Sequence, residues 1–287
     1  MFLCLSLLQA YVSLFIARYA EIGLKSERVR RRFEDILALN IEKHFMARHM
    51  ECLVSWDRGR LFIMADDKTA MDVLSHTFGI VSFSRAMEVG KGKQEIIDAV
   101  VRVASTLLFS GCSFAIRARR SGNHEFTSMD IAREAGAAVL SQFNHLGISV
   151  NLDAPDVEVF VEARERASYI YTSIHEGPGG LPLGTQGTVL CPVDREQDMV
   201  AAWLIMRRGC RTVISTDIDV SVLRKWDPEL KTVEKGDPYQ LALKYGCEAV
   251  AFPDAELREK KEGIASLYPS AMLMLEELNE LLETIRA

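Results

Sequence analysis

The segment that most limits how this chain can fold is GPGGLPLGTQG, residues 177–187. It holds five glycines and two prolines in eleven residues, a composition that interrupts both helices and strands. The sequence before it contains strands that run apolar and polar residues in near alternation, which is typical of half-buried sheets. The sequence after it alternates short apolar runs with helical patterns. We therefore predict a domain boundary at this segment.

Residues 1–90 form the first predicted domain, an α+β unit of the ferredoxin-like type. Its β-α-β-β-α-β order is the basis of this assignment. The predicted elements are strands near Val12–Tyr19, Glu51–Ser55, Leu61–Ala65 and Ile80–Glu88 and helices near Ser26–His49 and Lys68–Thr77. The apolar stripe of the long helix, which we predict to be core, is Val29, Phe33, Ile36, Leu37 and Ile41.

Residues 91–187 and 188–287 form the second and third predicted domains. The second contains helices near Gln94–Ser110 and Ser128–Phe143 and the strands SFAIRARR, ISVNL, VEVFVEARER and ASYIYTSIHE. The third contains the strands TVLCPV, RTVIST and CEAVAF and helices over Glu196–Arg208 and Tyr268–Ile285. Because strands and helices alternate there, we predict a small Rossmann-like parallel α/β domain. The whole chain is thus predicted to be a multidomain protein of α+β and α/β parts.

Charge and cysteine usage restrict the possible partners and the compartment. The formal net charge of −6 argues against a broadly basic coat for nucleic acid, although local basic patches remain compatible with it. The six cysteines contain no CxxC pair, which favours reduced thiols in the cytoplasm over disulfides or a zinc site. The N-terminal apolar run lacks a basic region and is short for a membrane span. We interpret residues 1–11 as a hydrophobic extension or a misassigned translation start, and expect no membrane partner.

The first candidate site lies in RARRSGNHEFTSMD, where a strand runs into a helix. Arg117 and Arg119 share one strand face because side chains alternate, and Arg120 lies at the exposed end. His124 falls in the turn, and Ser128 is predicted to cap the helix with an aspartate in its first turn. Guanidinium groups beside a helix N-terminus suit a phosphate backbone. A solvated arginine cluster paired with nearby acids is the alternative.

Two further sets of side chains could carry chemistry. In KSERVRRRFEDIL, Arg28 and Arg32 are i,i+4 neighbours on a helix face that is either solvated or directed at phosphates. Asp217 and Asp219 follow a predicted strand and could hold Mg²⁺, or could be ordinary loop acids and helix caps. The sequence shows no nucleophile–base constellation and no histidine spacing typical of a metal site.

Four segments together resemble one family: RYAEIGLKSERVRRRFEDIL, FAIRARRSGNHEFTSMDIA, VEVFVEARERASYIY and EGPGGLPLGTQG. In order and spacing they are similar to the tRNA 4-thiouridine synthetases (tRNA sulfurtransferases, linked to thiamine biosynthesis), from about residue 14 to residue 210. The resemblance implies a ferredoxin-like domain, a THUMP domain that binds tRNA, and a PP-loop domain that uses ATP and Mg²⁺. It implies tRNA contact by Arg117, Arg119 and Arg120, with His124 and Ser128 in the same motif. It extends this expectation to Lys25 and Arg28 of the first domain.

The third domain departs from the family pattern at its phosphate loop, SGGxDS. Anchored on VAAWLIMRRG, the residues at the six loop positions are Val193, Asp194, Arg195, Glu196, Gln197 and Asp198. Both glycines are replaced, although glycine is what lets backbone N–H groups approach phosphates closely. Each carboxylate placed ~4 Å from a phosphate charge costs about 4 kcal/mol at an effective dielectric of ~20. The family's downstream catalytic cysteine motif also has no counterpart here.

Two functions follow as hypotheses. The favoured one is a tRNA-binding protein without ATP-pyrophosphatase activity and without a cofactor, which works with a separate catalytic subunit or a second copy of itself. The alternative is an active tRNA sulfurtransferase, or another tRNA-modifying enzyme, with a divergent site. In that case Asp194, Asp198, Asp217 and Asp219 would surround a metal at the strand ends.

Overall fold

The computed structural model describes residues 12–57, 59–254, 256 and 263–287. The predicted hydrophobic extension, residues 1–11, lies outside the described residues. The chain divides into two compact units. In the described part, the first unit contains residues 17–83 and 176–287, and the second contains residues 12–16 and 84–175.

The N-terminal part has the predicted ferredoxin-like topology. Its elements are β1 (Val12–Arg18), α1 (Glu27–Met46), β2 (Leu53–Asp57), β3 (Arg60–Asp66), α2 (Asp67–Ser75) and β4 (Ser82–Val89), and its strand order is β2-β3-β1-β4. Phe33, Leu37 and Ile41 of α1 are buried as predicted. The prediction for Val29 is wrong, because the packed stripe begins one turn later and leaves this side chain 38% exposed.

The second unit is a sheet covered on one face by two helices. Its elements are α3 (Lys93–Ala104), β5 (Ser113–Arg120), α4 (Ser128–Phe143), β6 (Ser149–Val150), β7 (Val157–Ala163) and β8 (Ser168–Tyr171), and its strand order is β4-β8-β7-β5-β6. Ile116, Val161 and Ile170 pack with the helices in its core. The predicted strand ISVNL is shorter than expected, because the Asn151 side chain accepts hydrogen bonds from the backbone N–H groups of Asp153 and Ala154 and turns the chain.

The C-terminal part is the predicted parallel α/β domain. After β9 (His175–Glu176), its elements are β10 (Thr188–Pro192), α5 (Asp198–Arg207), β11 (Arg211–Ser215), β12 (Lys231–Val233), α6 (Pro238–Tyr245), β13 (Ala249–Ala251), β14 (Ala265–Leu267) and α7 (Leu275–Arg286). All pairings in the order β12-β11-β10-β13-β14 are parallel. Helix α7 starts later than predicted, because the chain before it forms a turn. In this turn the Ser270 hydroxyl donates a hydrogen bond to the Pro253 carbonyl. Strand order reverses between β10 and β13, where doubly wound folds bind ligands.

The glycine- and proline-rich segment is packed structure within the first unit. The Gly179 carbonyl accepts the Gly79 N–H, the Gly179 N–H donates to the Ile80 carbonyl, and the Leu181 N–H donates to the Arg207 carbonyl. The Asn40 side chain of α1 donates to the carbonyl of Leu183 at 3.0 Å. The segment therefore joins the ferredoxin-like part to the α/β domain through fixed contacts. Among the described residues, no helix has the length and the apolar run needed to cross a bilayer.

Candidate functional site

The loop after β10, residues 193–198, lies where α/β folds hold phosphates. The Val193 N–H donates to the Ser215 carbonyl, which extends the β10–β11 pairing by one residue. Helix α5 then begins at Asp198. The loop thus connects the carboxyl end of a central parallel strand to a helix N-terminus, beside the point where strand order reverses. We call residues 193–198 the β10–α5 loop.

The Asp198 carboxylate takes the anion position of this loop. Asp198 is only 3% exposed, and its carboxylate accepts hydrogen bonds from the backbone N–H groups of Asp194 at 3.0 Å and Arg195 at 2.9 Å. The Arg195 guanidinium also donates to it at 3.1 Å. In a phosphate loop, N–H groups at such a turn face the ligand. Here the chain's own side chain uses them.

Two cations from distant segments pair with exposed acids of the β10–α5 loop. The Lys235 ammonium lies 2.7 Å from the Asp194 carboxylate, and the Arg286 guanidinium of α7 lies 2.6 Å from Glu196. The hydrogen bond to Asp194 raises the pKa of Lys235, and the negative charges of Asp217 and Asp198 add to this effect. Sequence reasoning missed both cations, because no local pattern links them to the loop.

The aspartates proposed to hold a metal do not form a metal site. Asp219 accepts the backbone N–H and the hydroxyl of Ser221, and these hydrogen bonds lower the pKa of its carboxyl. Asp217 and Asp219 line an open groove of about 430 Å³ at the ends of β11 and β12. Within the described ranges, no group of three or more His, Cys, Asp or Glu side chains could hold a metal ion.

The cysteines of the α/β domain are buried or half-buried thiols. Burial raises the pKa of the Cys191, Cys210 and Cys247 thiols above the ordinary value. All three are free of disulfides. A sulfur-carrying cysteine needs thiolate character, which arises near positive charge or a helix N-terminus.

The three arginines at the end of β5 differ in how they are engaged. Arg117 donates to Glu158 at 2.8 Å and to the Leu152 carbonyl at 2.6 Å. Arg119 is exposed, and its side chain makes no hydrogen bond or ion pair with another described residue. Arg120 is exposed as well and makes one long contact, at 3.4 Å, with the backbone carbonyl of His124.

The turn that follows β5 is ordered by its own side chains. A His124 ring nitrogen lies 3.1 Å from the Ser121 carbonyl, and its ring packs against Phe126. The predicted cap at Ser128 is wrong, because the N-cap is Thr127. The Thr127 hydroxyl accepts the Asp130 N–H while the Asp130 carboxylate accepts the Thr127 N–H. This capping box fixes the helix start beside Arg120.

The basic side chains at the start of α1 are available to a ligand. Lys25 and Arg28 are exposed, and neither side chain makes a hydrogen bond or ion pair within the described part of the chain. Arg31 instead pairs with Glu27 at 2.6 Å. Both predicted contact residues of the first unit therefore present unpaired positive charge.

Two family models match the chain in succession. The ThiI ferredoxin-like domain matches residues 14–84, and the THUMP domain matches residues 91–173. A probable tRNA sulfurtransferase of Methanothermobacter thermautotrophicus is 42% identical over 205 residues, which cover 69% of this chain and 51% of the relative. A tRNA sulfurtransferase of Thermoplasma volcanium is 37% identical over 196 residues, covering 68% of this chain and 40% of the relative.

Solved structures share the fold over nearly the whole chain. The protein PH1313 from Pyrococcus horikoshii Ot3 has a TM-score of 0.77 at 25% identity, covering 96% of this chain and 100% of that one. A 4-thiouridine synthetase in complex with RNA and bound ATP has a TM-score of 0.74 at 23% identity, covering 96% and 85%.

The present chain spans about half the length of the curated relatives it matches. Its matched segments are consecutive and occur in the order that the sequence resemblance predicts. The chain belongs to the tRNA sulfurtransferase family, with a ThiI-type ferredoxin-like domain followed by a THUMP domain.

Proposed function

We propose that this chain is a tRNA-binding member of the family whose α/β domain does not use ATP. It binds tRNA in the cytoplasm and presents it to a separate catalytic subunit or to a second copy of itself. The proposed domains are residues 1–90, 91–187 and 188–287. The proposed tRNA-binding residues are Lys25, Arg28, Arg117, Arg119, Arg120, His124 and Ser128.

The buried Asp198 carboxylate is the observation that carries the loss of ATP use. A phosphate seated on the same N–H groups would have to displace this carboxylate from hydrogen bonds of 3.0 and 2.9 Å. The displaced charge would then remain next to a triphosphate, at a cost of about 4 kcal/mol per close charge pair at ~4 Å and an effective dielectric of ~20. The loop therefore does not fit the ATP and Mg²⁺ that the family implies.

Unpaired cations support the tRNA contact. Arg119 and Lys25 are exposed and make no ion pair among the described residues, so binding RNA would break no internal interaction of their side chains. Release of counterions from phosphates is a major source of affinity in protein–nucleic acid complexes. The RNA in the 4-thiouridine synthetase complex and the names of the curated relatives are consistent with this partner.

A thiolation assay separates this proposal from an active enzyme. The full chain is incubated with unfractionated tRNA, ATP, Mg²⁺ and a labelled sulfur donor, and the label in the tRNA is measured beside tRNA binding under the same conditions. We expect tRNA binding with no incorporated label. Incorporation that needs ATP and is lost in Asp198→Ala and Asp217→Ala would overturn the proposal in favour of a divergent sulfurtransferase.

A further inference from the structure

Three loops of the THUMP unit leave its sheet at the same end. The register aligns Arg120 of β5 with Ala163 of β7, Ala163 with Ser168 of β8, and Ser168 with Val89 of β4. Beyond this row the chain continues as three loops, residues 121–127, 164–167 and 90–92. We call this region the three-loop end.

Direct contacts connect two of these loops and close the third loop on itself. The Ser121 N–H donates to the Ala163 carbonyl at 2.9 Å, which connects the loop after β5 to the last residue of β7, just before the β7–β8 turn. A Cβ at Gly122 would meet the Glu165 side chain of the β7–β8 turn. The Glu95 side chain lies over Gly90 and Gly92, so the loop after β4 folds around it. Glu95 and Glu165 thus lie against glycines of the loops.

Strand β5 and two of the loops place cations at this end. Arg119 and Arg120 stand at the end of β5, Arg166 lies in the β7–β8 turn, and Lys91 lies between β4 and α3. All four are exposed. In the described part of the chain, the side chains of Arg119, Arg166 and Lys91 make no hydrogen bond or ion pair. Helices α3 and α4 also begin here, which adds the partial positive charge of two helix N-termini.

Arg117 stands apart from this cluster. It lies three residues before the end of β5, and its guanidinium is committed to Glu158 and to the Leu152 carbonyl. These two hydrogen bonds connect Arg117 to β7 and to the chain segment that follows β6. A guanidinium with these two partners has less freedom to pair with phosphates than an unpaired one.

We propose that the three-loop end contacts RNA backbone phosphates through Lys91 and Arg166 together with Arg119 and Arg120. This proposal rests on the proposed function, since it locates the tRNA contact within the THUMP unit. Arg117 contributes to binding by orienting the neighbouring segment and makes no phosphate contact. Lys91 and Arg166 are thus binding residues that the family motif alone does not indicate.

The test measures the affinity of the full chain for unfractionated tRNA at several salt concentrations. We expect Lys91→Gln and Arg166→Gln each to weaken binding several-fold and to lower the slope of log affinity against log salt by about 0.7–0.9. The double variant should lose at least about tenfold, with nearly twice the change in slope. Both side chains are exposed and unpaired in the described structure, so these variants should melt like the wild type.

Two control variants distinguish the possible outcomes. Arg102→Gln removes an exposed cation from the last turn of α3, away from its N-terminus, and should change neither affinity nor slope. Arg117→Gln should weaken binding without lowering the slope. If wild-type chain binds tRNA but the double variant matches Arg102→Gln, this inference fails and the proposed function stands. If wild-type chain does not bind tRNA, both fail.

Discussion

The role of the Asp198 carboxylate in the loop is tested most simply by replacing Asp198 with alanine and measuring the stability of the protein. The carboxylate accepts two backbone hydrogen bonds, and a hydrogen bond to a charged group contributes about 1.5–3 kcal/mol. Its contact with the largely exposed Arg195 guanidinium adds at most about 1 kcal/mol. A negative charge in the first turn of α5 adds about 0.3–1 kcal/mol.

These contributions overlap because one carboxylate makes all of them. Asp194 and Arg195 are exposed, so water replaces part of what their N–H groups lose. We therefore expect Asp198→Ala to lower the free energy of unfolding by about 3 kcal/mol, at the lower end of the range for two charged hydrogen bonds. Asp198→Asn keeps an acceptor oxygen without the charge and should cost about half as much.

Urea unfolding followed by tryptophan fluorescence measures this effect, because Trp203 and Trp226 are buried in the same α/β domain. Glu196→Ala is the matched control: it removes a carboxylate of the same loop whose ion pair with Arg286 is exposed, and should cost at most about 1 kcal/mol. Equal losses for Asp198→Ala and Glu196→Ala would refute the anion-like role of Asp198.

Two further predictions concern the packing of the first unit. Burial of His44 lowers the pKa of its imidazole to about 3, and the positive charge of Arg48 is the second-largest cause. The ring is therefore neutral in the folded state. The contribution of His44 to the free energy of unfolding is fully present above the unfolded pKa of about 6.5. It falls as the pH decreases, by about 2 kcal/mol between pH 8 and pH 5. Urea melts at both pH values should show this loss, and His44→Gln should reduce it; an unchanged pH dependence in that variant would exclude His44 as the source. Gly180 has φ 74°, and a Cβ there would overlap the Arg207 carbonyl, so Gly180→Ala should lower the free energy of unfolding by about 2–4 kcal/mol. Gly136 lies in the middle of α4, where a Cβ would meet no other atom, so Gly136→Ala should instead stabilise the protein by about 0.5–1 kcal/mol. Similar unfolding curves for the two variants would contradict the packing described.

Local sequence patterns predicted the elements well because their physical causes are local. The β-α-β-β-α-β order and the parallel α/β domain follow from hydrophobic periodicity and turn residues. Errors occurred at element ends. The neighbouring hydroxyl residues Thr127 and Ser128 are both suitable caps, and only the reciprocal pairing of Thr127 with Asp130 decides between them.

Long-range contacts explain what the sequence left undetermined at the site. The replaced glycines indicate a changed phosphate loop, but nothing local shows that Asp198 turns inward onto the loop's N–H groups. Glu196 and its partner Arg286 are 90 residues apart. Lys91 and Arg166 join Arg119 only through strand register, which one sequence does not specify.

Equilibrium binding of ATP with Mg²⁺ and of tRNA to the same preparation of the full chain tests the central claim most directly. We predict salt-dependent tRNA binding and no saturable ATP binding at millimolar nucleotide. Tight ATP binding that is lost on substitution of Asp194 or Arg195 would contradict the claim that the chain's own carboxylate has replaced the phosphate.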